Sequence, residues 1–500
     1  MNTVHRSAPS AARRGIIRRA ALAFAVVTGC AVGPDYRAPE LAVPARYSES
    51  GVHASAGTSL AEWWRVFRDA PLERLVARAI DANLDLRIAE SRVREARALR
   101  GVVRSALWPT VDGGAAYSRT RQSENGSLGG AVRRGLVPLE TDLYEAALDA
   151  SWEIDIFGGT RRAVESGEAE IGAADEARRD ILVSLLGEVG STYIELRGLQ
   201  QELAVTQANI KAQEQTLALT RDRVQAGLAT ELDVTRAQAQ VATTRAEVPS
   251  LTSALKRAVH RLSVLVGVSP GELAGPWLQA RPVPAGPPEV PAGMPSDLLR
   301  RRPDIRRAER ELHAATARIG VATADLFPRF SLTGAVGLQS VAASDFFTGG
   351  SRFFALGPAI HWPIFNAGRI RDNIEVQDLR QEQALLAYRQ TVLLGLEEVE
   401  NALVTHREAR LRFQELREAE GAERRAVALA HDRYRSGLVD FLDVLEAERT
   451  LYAAQSELAR GERAVGQDLV RLYKALGGGW GHDVARAQAM QSPWPISSEG

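Results

Sequence analysis

The chain is one unit written twice, and that repeat limits its fold more than any other feature. "DLRIAESRVREARALRGVVRSALWP" from Asp85 aligns without gaps to "DIRRAERELHAATARIGVATADLFP" from Asp304, 219 positions on. "AGLATELDVTRAQAQ" from Ala226 is echoed by "SGLVDFLDVLEAERT" from Ser436, 210 positions on, and "IFGGTRR" from Ile156 by "IFNAGRIR" from Ile364, 208 positions on. The halves therefore differ mainly in their loops, and whatever the first builds the second must build again. "PVPAGPPEVPAG" (282–293) reads as the linker between them.

Each half opens on a helical stretch, about 72–106 and 297–326, rich in Ala, Arg, Glu and Leu and ended by Trp108-Pro109 and Phe327-Pro328. The period then changes from helical to two. In "LDASWEIDIF", Leu148, Ala150, Trp152, Ile154 and Ile156 alternate with Asp149, Ser151, Glu153 and Asp155. In "FSLTGAVGLQ", Phe330, Leu332, Val336 and Leu338 fall on one face and Ser331, Thr333, Ala335 and Gln339 on the other. "TVDGGAAYS" and "FFALGPAIHWPIF" repeat the pattern more weakly. Four strands are expected, about 108–120, 141–157, 328–340 and 352–365, with Gly/Ser-rich connections near 122–135 and 342–351. After each pair comes a very long helical stretch, about 160–226 and 367–436, and a return helix, about 231–266 and 441–476. At ~1.5 Å per residue the longer ones reach about 100 Å, more than any globular core needs. Near-heptad apolar spacing such as Leu217, Val224 and Leu228, among small Ala positions, suits helices packed side by side in a bundle or tube.

Alternating segments of about 10 residues with interfacial aromatics match outer-membrane barrel strands, and Tyr117, Trp152 and Trp362 supply such aromatics. The edge of a soluble β-sandwich shows the same alternation. Four strands cannot close a membrane barrel, whose minimum is about 8, and open edges are not tolerated in lipid. If these strands enter a membrane, several chains share one barrel. Asp112, Asp149, Glu153 and Asp155 are then expected on the lumen side.

Lys plus Arg and Asp plus Glu both number 62, so no net field favours nucleic acid as a partner. The single cysteine, Cys30, excludes an intrachain disulfide and a cysteine zinc site. It follows Arg13, Arg14, Arg18, Arg19 and the short apolar run "AALAFAVV", the order of a secretory signal, with a run too short to span a bilayer. "VTGC" resembles a bacterial lipobox, in which the cysteine becomes the acylated first residue. Ala31, where inner-membrane retention uses Asp, favours the outer membrane.

In "GLVDFLDVLEAER" the acids Asp440, Asp443 and Glu446 recur every third residue among apolar neighbours. Like charges so spaced repel by a few tenths of a kcal/mol per pair on an exposed helix. A Gly-Leu pair interrupts the helices in both halves, at Gly227-Leu228 and Gly437-Leu438, and Thr230 or Asp440 can then cap the next helix. Asp440 with Asp443 resembles a weak capping box at the positive end of a helix dipole, which leaves Glu446 unexplained.

"WWRVFRDAPLERLVARAIDANLDLRIAESRVREAR" from Trp63, "RRPDIRRAERELHAATARIG" from Arg301 and "CAVGPDYRAP" from Cys30 resemble the outer-membrane factor (TolC-like) family. More narrowly, they resemble its NodT/OprM-type lipoprotein branch, which serves resistance-nodulation-division (RND) efflux systems. The resemblance covers nearly the whole mature chain. It implies a homotrimer, mainly α with transmembrane β, in which each chain gives four strands to one barrel of about 12 that continues into a long periplasmic α-helical barrel. It also implies a periplasmic adaptor and an inner-membrane RND pump as partners. Energy then comes from that pump, and the duct is passive.

Carried onto this sequence, the resemblance implies a periplasmic gate with Leu442 at an apolar constriction, Asp443 and Glu446 on acidic rings, and Arg449 locking neighbouring helices. Tyr434 belongs to the same lock, with Asp233 as its first-repeat acceptor. Val439 stands where the family often has a basic residue. The expected division is a lipoprotein signal at 1–29, an anchored N-terminal segment at 30–71, a first repeat at 72–281, a linker at 282–296, a second repeat at 297–476 and a C-terminal tail at 477–500. The location is the outer membrane, with lipid on Cys30 and no other cofactor.

Two other function classes fit the sequence less well. An enzyme built on paired carboxylates would need them across a cleft, about 5 to 10 Å apart, not along one helix face. The eight His residues show no His-x-x-x-His, and there is no Gly-rich phosphate loop with Lys. A structural coiled-coil lipoprotein would explain the long helices but has no use for two alternating strand pairs at matching places.

Overall fold

The computed structural model describes residues 31–49, 60–277, 279–287 and 293–481. Cys30, the signal segment and the tail beyond 481 lie outside the described residues. The order is α1 (Ala70–Ala82), α2 (Leu84–Ser105), β1 (Thr110–Arg121), β2 (Glu140–Ile154), α3 (Gly159–Gln225) and α4 (Glu231–Leu265). The second half follows as α5 (Pro295–Arg301), α6 (Pro303–Ala324), β3 (Arg329–Ser340), β4 (Arg352–His361), α7 (Arg369–Arg435) and α8 (Phe441–Ala475). The long helices α3 and α7 have 67 residues each.

Each half's opening stretch, read as one helix, is two. Asn83 (φ −63°, ψ 131°) breaks the first because its side chain is committed in two directions: Oδ1 accepts from the Leu86 N–H at 3.0 Å and Nδ2 donates to the Leu265 carbonyl at 3.0 Å. Arg302 (φ −81°, ψ 120°) breaks the second, since Pro303 keeps the residue before it extended.

Two compact units form. One comprises 31–39, Arg94–Ala173 and Glu309–Ala387 of the described chain. It holds the single sheet, antiparallel throughout in the order β1-β2-β3-β4. Its register sets apolar against apolar: Leu148 opposite Val336, Trp152 opposite Leu332 and Ile154 opposite Phe330. Val111, Leu148, Val336, Phe354, Leu356 and Ile360 are all exposed, so one sheet face is an uncovered apolar surface. On the other face Asp112 lies directly opposite Asp149. Asp155, expected with them, instead caps α3, its carboxylate accepting from the Thr160 N–H at 3.1 Å and the Arg161 N–H at 2.9 Å.

Trp152 donates to the Leu107 carbonyl at 3.0 Å and Trp362 to the Leu326 carbonyl at 3.1 Å. These tryptophans lie 210 positions apart, as do the starts of α3 and α7. The counterpart of Ile364 is therefore Ile154 and not Ile156; the shared Ile-Phe pair shifts the sequence alignment by two.

The other unit comprises Glu40–Val93, Ala174–Ala308 and Tyr388–Gly500, with only part of it described. Its apolar core centres on Trp63, 1% exposed, with its ring stacked on Tyr473 at 5.7 Å. Gly190 admits that indole: a Cβ there would stand 2.6 Å from the Trp63 ring. Leu72, Leu186, Tyr193, Ile194, Leu262 and Leu469 are among the side chains buried with it. No described helix is long and apolar enough to cross a membrane.

Candidate functional site

The turns at 226–230 and 436–440 join α3 to α4 and α7 to α8, and they are built alike. Gly227 and Gly437 have φ of +71° and +72°, the left-handed region where a Cβ is penalised. The Leu228 N–H donates to the Arg223 carbonyl at 2.8 Å and the Gly227 N–H to Val224 at 3.0 Å. Leu438 and Gly437 repeat this to Arg433 and Tyr434 at 2.8 and 3.0 Å. This bond pair satisfies carbonyls that a helix end would leave open.

The helices that follow are capped from the side. Thr230 caps α4: its N–H and hydroxyl reach Asp233 Oδ2 at 3.0 and 2.8 Å, and its hydroxyl accepts from the Asp233 N–H at 3.3 Å. Asp440 occupies the same position before α8, and the Asp443 carboxylate accepts from its N–H at 3.2 Å. Asp233 and Asp443 each therefore commit one oxygen to a cap at a helix N-terminus, where negative charge is favoured.

On α8, Leu442, Asp443, Glu446 and Arg449 form one exposed stripe. Leu442 is 54% exposed, and Glu446 meets Arg449 at 3.4 Å with both side chains open to solvent. Phe441, Val444, Leu445 and Glu448 form the buried stripe of the same helix. Tyr434 packs against it, 4% exposed, its ring edge-on to Phe441 at 5.9 Å and covered by the Arg223 guanidinium at 4.5 Å. The Tyr434 hydroxyl is buried beside the Thr220 side chain without a well-formed hydrogen bond, and its pKa is raised, chiefly by burial. Tyr434 and Asp233 are thus near neighbours in the fold without a bond between them, because Thr230 holds the Asp233 carboxylate.

Three residues at the tip escaped the sequence reading. Glu448, 8% exposed, accepts from the Thr216 hydroxyl at 2.5 Å and pairs with His431 Nε2 at 2.9 Å, joining α8 to α3 and α7. A buried carboxylate needs such partners. The available signal was an acid at the fourth place of the apolar series Phe441, Val444, Leu445. Among the described residues no group of acids, His and Cys is arranged to hold a metal.

The family model described as outer membrane efflux protein matches residues 75–268 and 294–478. The chain is 33% identical over 465 residues to nodulation protein T of Rhizobium leguminosarum bv. trifolii, covering 92% of this chain and 97% of that one. It is equally similar to the toluene efflux pump outer membrane protein TtgI of Pseudomonas putida, at 33% identity over 92% and 97% of the two chains. Among solved structures, the outer-membrane channel OprN gives a TM-score of 0.84 at 38% identity, over 90% of this chain and 100% of that one. CusC gives 0.80 at 28% identity, over 90% and 100%.

Proposed function

The chain belongs to the outer membrane efflux protein family, and from that premise we propose how its residues serve as an exit duct. It is an outer-membrane efflux channel, resident in the outer membrane, in a family of ducts and not of enzymes. The structural-lipoprotein reading has no support among its relatives. The observation that carries the finer reading is the sheet of four strands, with one uncovered apolar face and two edge strands, β1 and β4.

Such a sheet is stable in lipid only when its edges are paired. Three chains closing one barrel of about 12 strands satisfy that need, with α3, α4, α7 and α8 of each chain forming a tube in the periplasm. A periplasmic adaptor docks near the helix tips, and an inner-membrane RND pump supplies the energy. An acyl chain on Cys30, weak as a lone anchor, adds to the barrel's hold. Relatives carry the names of solvent, toluene and antibiotic pumps, and small organic molecules are the proposed cargo.

At the tip, the exposed stripe of α8 faces the axis in our reading. Leu442 narrows it, and apolar constrictions gate by dewetting. Asp443 and Glu446, each in three copies, concentrate negative potential and favour cations. Arg449, held loosely by Glu446 within the chain, exchanges that partner for a neighbouring helix in the closed state. Tyr434, packed under Arg223, sets the angle of the turn, and Asp233 and Asp443 keep the helix starts in place.

The test is single-channel conductance in a planar bilayer, wild type beside the Asp443→Ala, Glu446→Ala double variant. A small cation-selective wild-type conductance that loses selectivity in the variant supports the acidic rings. Equal selectivity in both returns these acids to capping alone.

A further inference from the structure

The two repeats carry enough register information to assign a strand pairing that lies between copies of the chain. Within each repeat the pairing is identical once the offsets are applied. Thr110 opposite Ser151 becomes, 219 and 210 positions on, Arg329 opposite His361; Ala116 opposite Glu145 becomes Ala335 opposite Ala355; Arg119 opposite Asp142 becomes Leu338 opposite Arg352. All three second-repeat pairs are found. The repeat therefore conserves register to the residue, although the loops that join the strands differ.

The first repeat also meets the second inside the chain, through β2 and β3, with Asp149 opposite Ala335, Ala150 opposite Gly334 and Ile154 opposite Phe330. In a closed ring of repeats, the second repeat must meet the first repeat of the next chain by the same contact. β4 stands for β2, 210 positions on, and β1 for β3, 219 positions back.

We propose that β4 of one copy pairs antiparallel with β1 of the next in one fixed register: Ala359 opposite the partner's Ala116, Ile360 opposite the partner's Ala115, and Pro358 opposite the partner's Tyr117. The assignment rests on the shared-barrel reading above and adds the register that the reading leaves open.

A check independent of the offsets is the parity of the two faces. Directly paired residues share a face, and a slip of one moves every side chain to the other. On β4 the exposed apolar residues Phe354, Leu356 and Ile360 are even-numbered, as is Trp362 just after it. On β1 the exposed Val111 and Tyr117 are odd-numbered, and the polar Asp112, Ser118 and Thr120 are even. The assigned register joins even β4 positions to odd β1 positions, so Ile360 and Pro358 continue onto Ala115 and Tyr117 of the next copy, and only at the loop end of β1 do Arg119 and Arg121 fall opposite Leu356 and Phe354. A slip of one residue would join the apolar face of β4 to the face of β1 that carries Asp112, Ser118 and Thr120 and is excluded on that ground; a slip of two keeps the parity, and only the repeat rules it out.

The test is disulfide trapping of the full-length, membrane-inserted protein. Directly opposite residues in an antiparallel pair have Cα atoms about 4.5 to 5.5 Å apart, inside the disulfide range, whereas diagonal neighbours lie about 7 to 8 Å apart and outside it. A116C/A359C should give a covalent trimer after mild oxidation, lost on reduction. The slipped pairs A116C/G357C and A116C/H361C should give at least tenfold less. A115C/I360C obeys the same rule on the opposite face and serves if the first pair disturbs folding; wild type run beside them accounts for Cys30. Preferential linking of a slipped pair, or no linking of any pair in a protein whose native mass is trimeric, overturns the register and leaves the shared barrel standing. A monomeric native mass for the wild type overturns both.

Discussion

Tyr434 separates two accounts of how the tip stays closed. In one, its hydroxyl makes the bond that locks the turn. In the other, its ring does so by packing. Within the chain the buried hydroxyl has only the Thr220 side chain beside it, without a well-formed bond, and Tyr434 is 4% exposed, its ring in contact with Phe441 and beneath Arg223. Burying an unpaired hydroxyl costs about 1–3 kcal/mol by mutational data. Tyr434→Phe should therefore leave the tip as stable as wild type, or steadier by up to about 1 kcal/mol. Tyr434→Ala removes a buried aromatic ring and should cost about 3–5 kcal/mol. The lost guanidinium contact adds about 0.5–1 kcal/mol where it is exposed.

Since about 1.4 kcal/mol is tenfold in an equilibrium, Tyr434→Ala should raise resting conductance at least tenfold even if only half of its cost falls on the closed state. Tyr434→Phe should not raise it. The assay is zero-voltage open probability in planar bilayers, with thermal unfolding measured alongside. If Tyr434→Phe opened the channel as much as Tyr434→Ala, the hydroxyl would be bonded across the assembly and the packing account would be wrong.

Asn83→Ala should lower stability by about 2 kcal/mol, combining a lost helix cap with an orphaned Leu265 carbonyl, and urea unfolding of the detergent-solubilised protein reads this directly. His406 has a pKa below the usual histidine value, first from burial and then from Arg410, so the folded state prefers it neutral. Its contribution is intact above the unfolded pKa of about 6.5 and is lost as pH falls from there toward the folded value. His406→Leu should accordingly flatten the fall in melting temperature between about pH 7 and pH 5. Gly337→Val should abolish assembly, visible as loss of the slow-migrating species on unheated gels. A Cβ there would meet the Ala146 carbonyl oxygen and stand 2.8 Å from the Ala147 Cα, and backbone cannot give way cheaply inside the β2–β3 pairing.

Much of this architecture was legible because the sheet is wet on one face and apolar on the other. Alternation as clean as that from Leu148 to Ile154 arises only under such a constraint, and the register then matches apolar positions across strands. The turns were legible for a different reason: a left-handed glycine followed by a capping residue is local chemistry, readable without the rest of the fold. What stayed hidden depends on partners distant in sequence. Nothing near Asn83 announces that the Leu265 carbonyl waits for its side chain. Asp155 and Asp233 read as lumen and lock residues in the sequence, and the caps their carboxylates make at helix N-termini two to six positions away were not legible there. Glu448 was visible as an acid in an apolar stripe, but its meaning required Thr216 and His431.

The distribution of polar contacts along α8 bears on how a duct of this kind can open without unfolding. Toward its C-terminal end, Leu469, Val470, Leu472 and Tyr473 are all buried, three of them in the Trp63 core. Each such side chain contributes about 1.5–3 kcal/mol, and that gain is lost on any displacement. Along the middle of α8 the seam with α3 is polar: Glu462 to Gln201 at 2.7 Å, Arg460 to Glu202 at 2.8 Å, Gln455 to Asn209 at 2.8 Å and Glu448 to Thr216 at 2.5 Å, and beside the turn a small apolar cluster of Tyr434, Phe441, Val444 and Leu445 with Leu217 closes it. A net hydrogen bond is worth about 0.5–1.5 kcal/mol and can be exchanged for water or for another side chain as helices slide. Such a seam fixes the resting register as strictly as an apolar one, since a mismatch strands a buried donor or acceptor, yet it costs less to break step by step. The half of α8 that carries Leu442, Asp443, Glu446 and Arg449 is thereby held by one small apolar cluster and a polar seam, while the half beside Trp63 is clamped in the main core. A tip that must open under the pull of a partner and close again needs that asymmetry, and the 35 residues of one helix carry both ends of it.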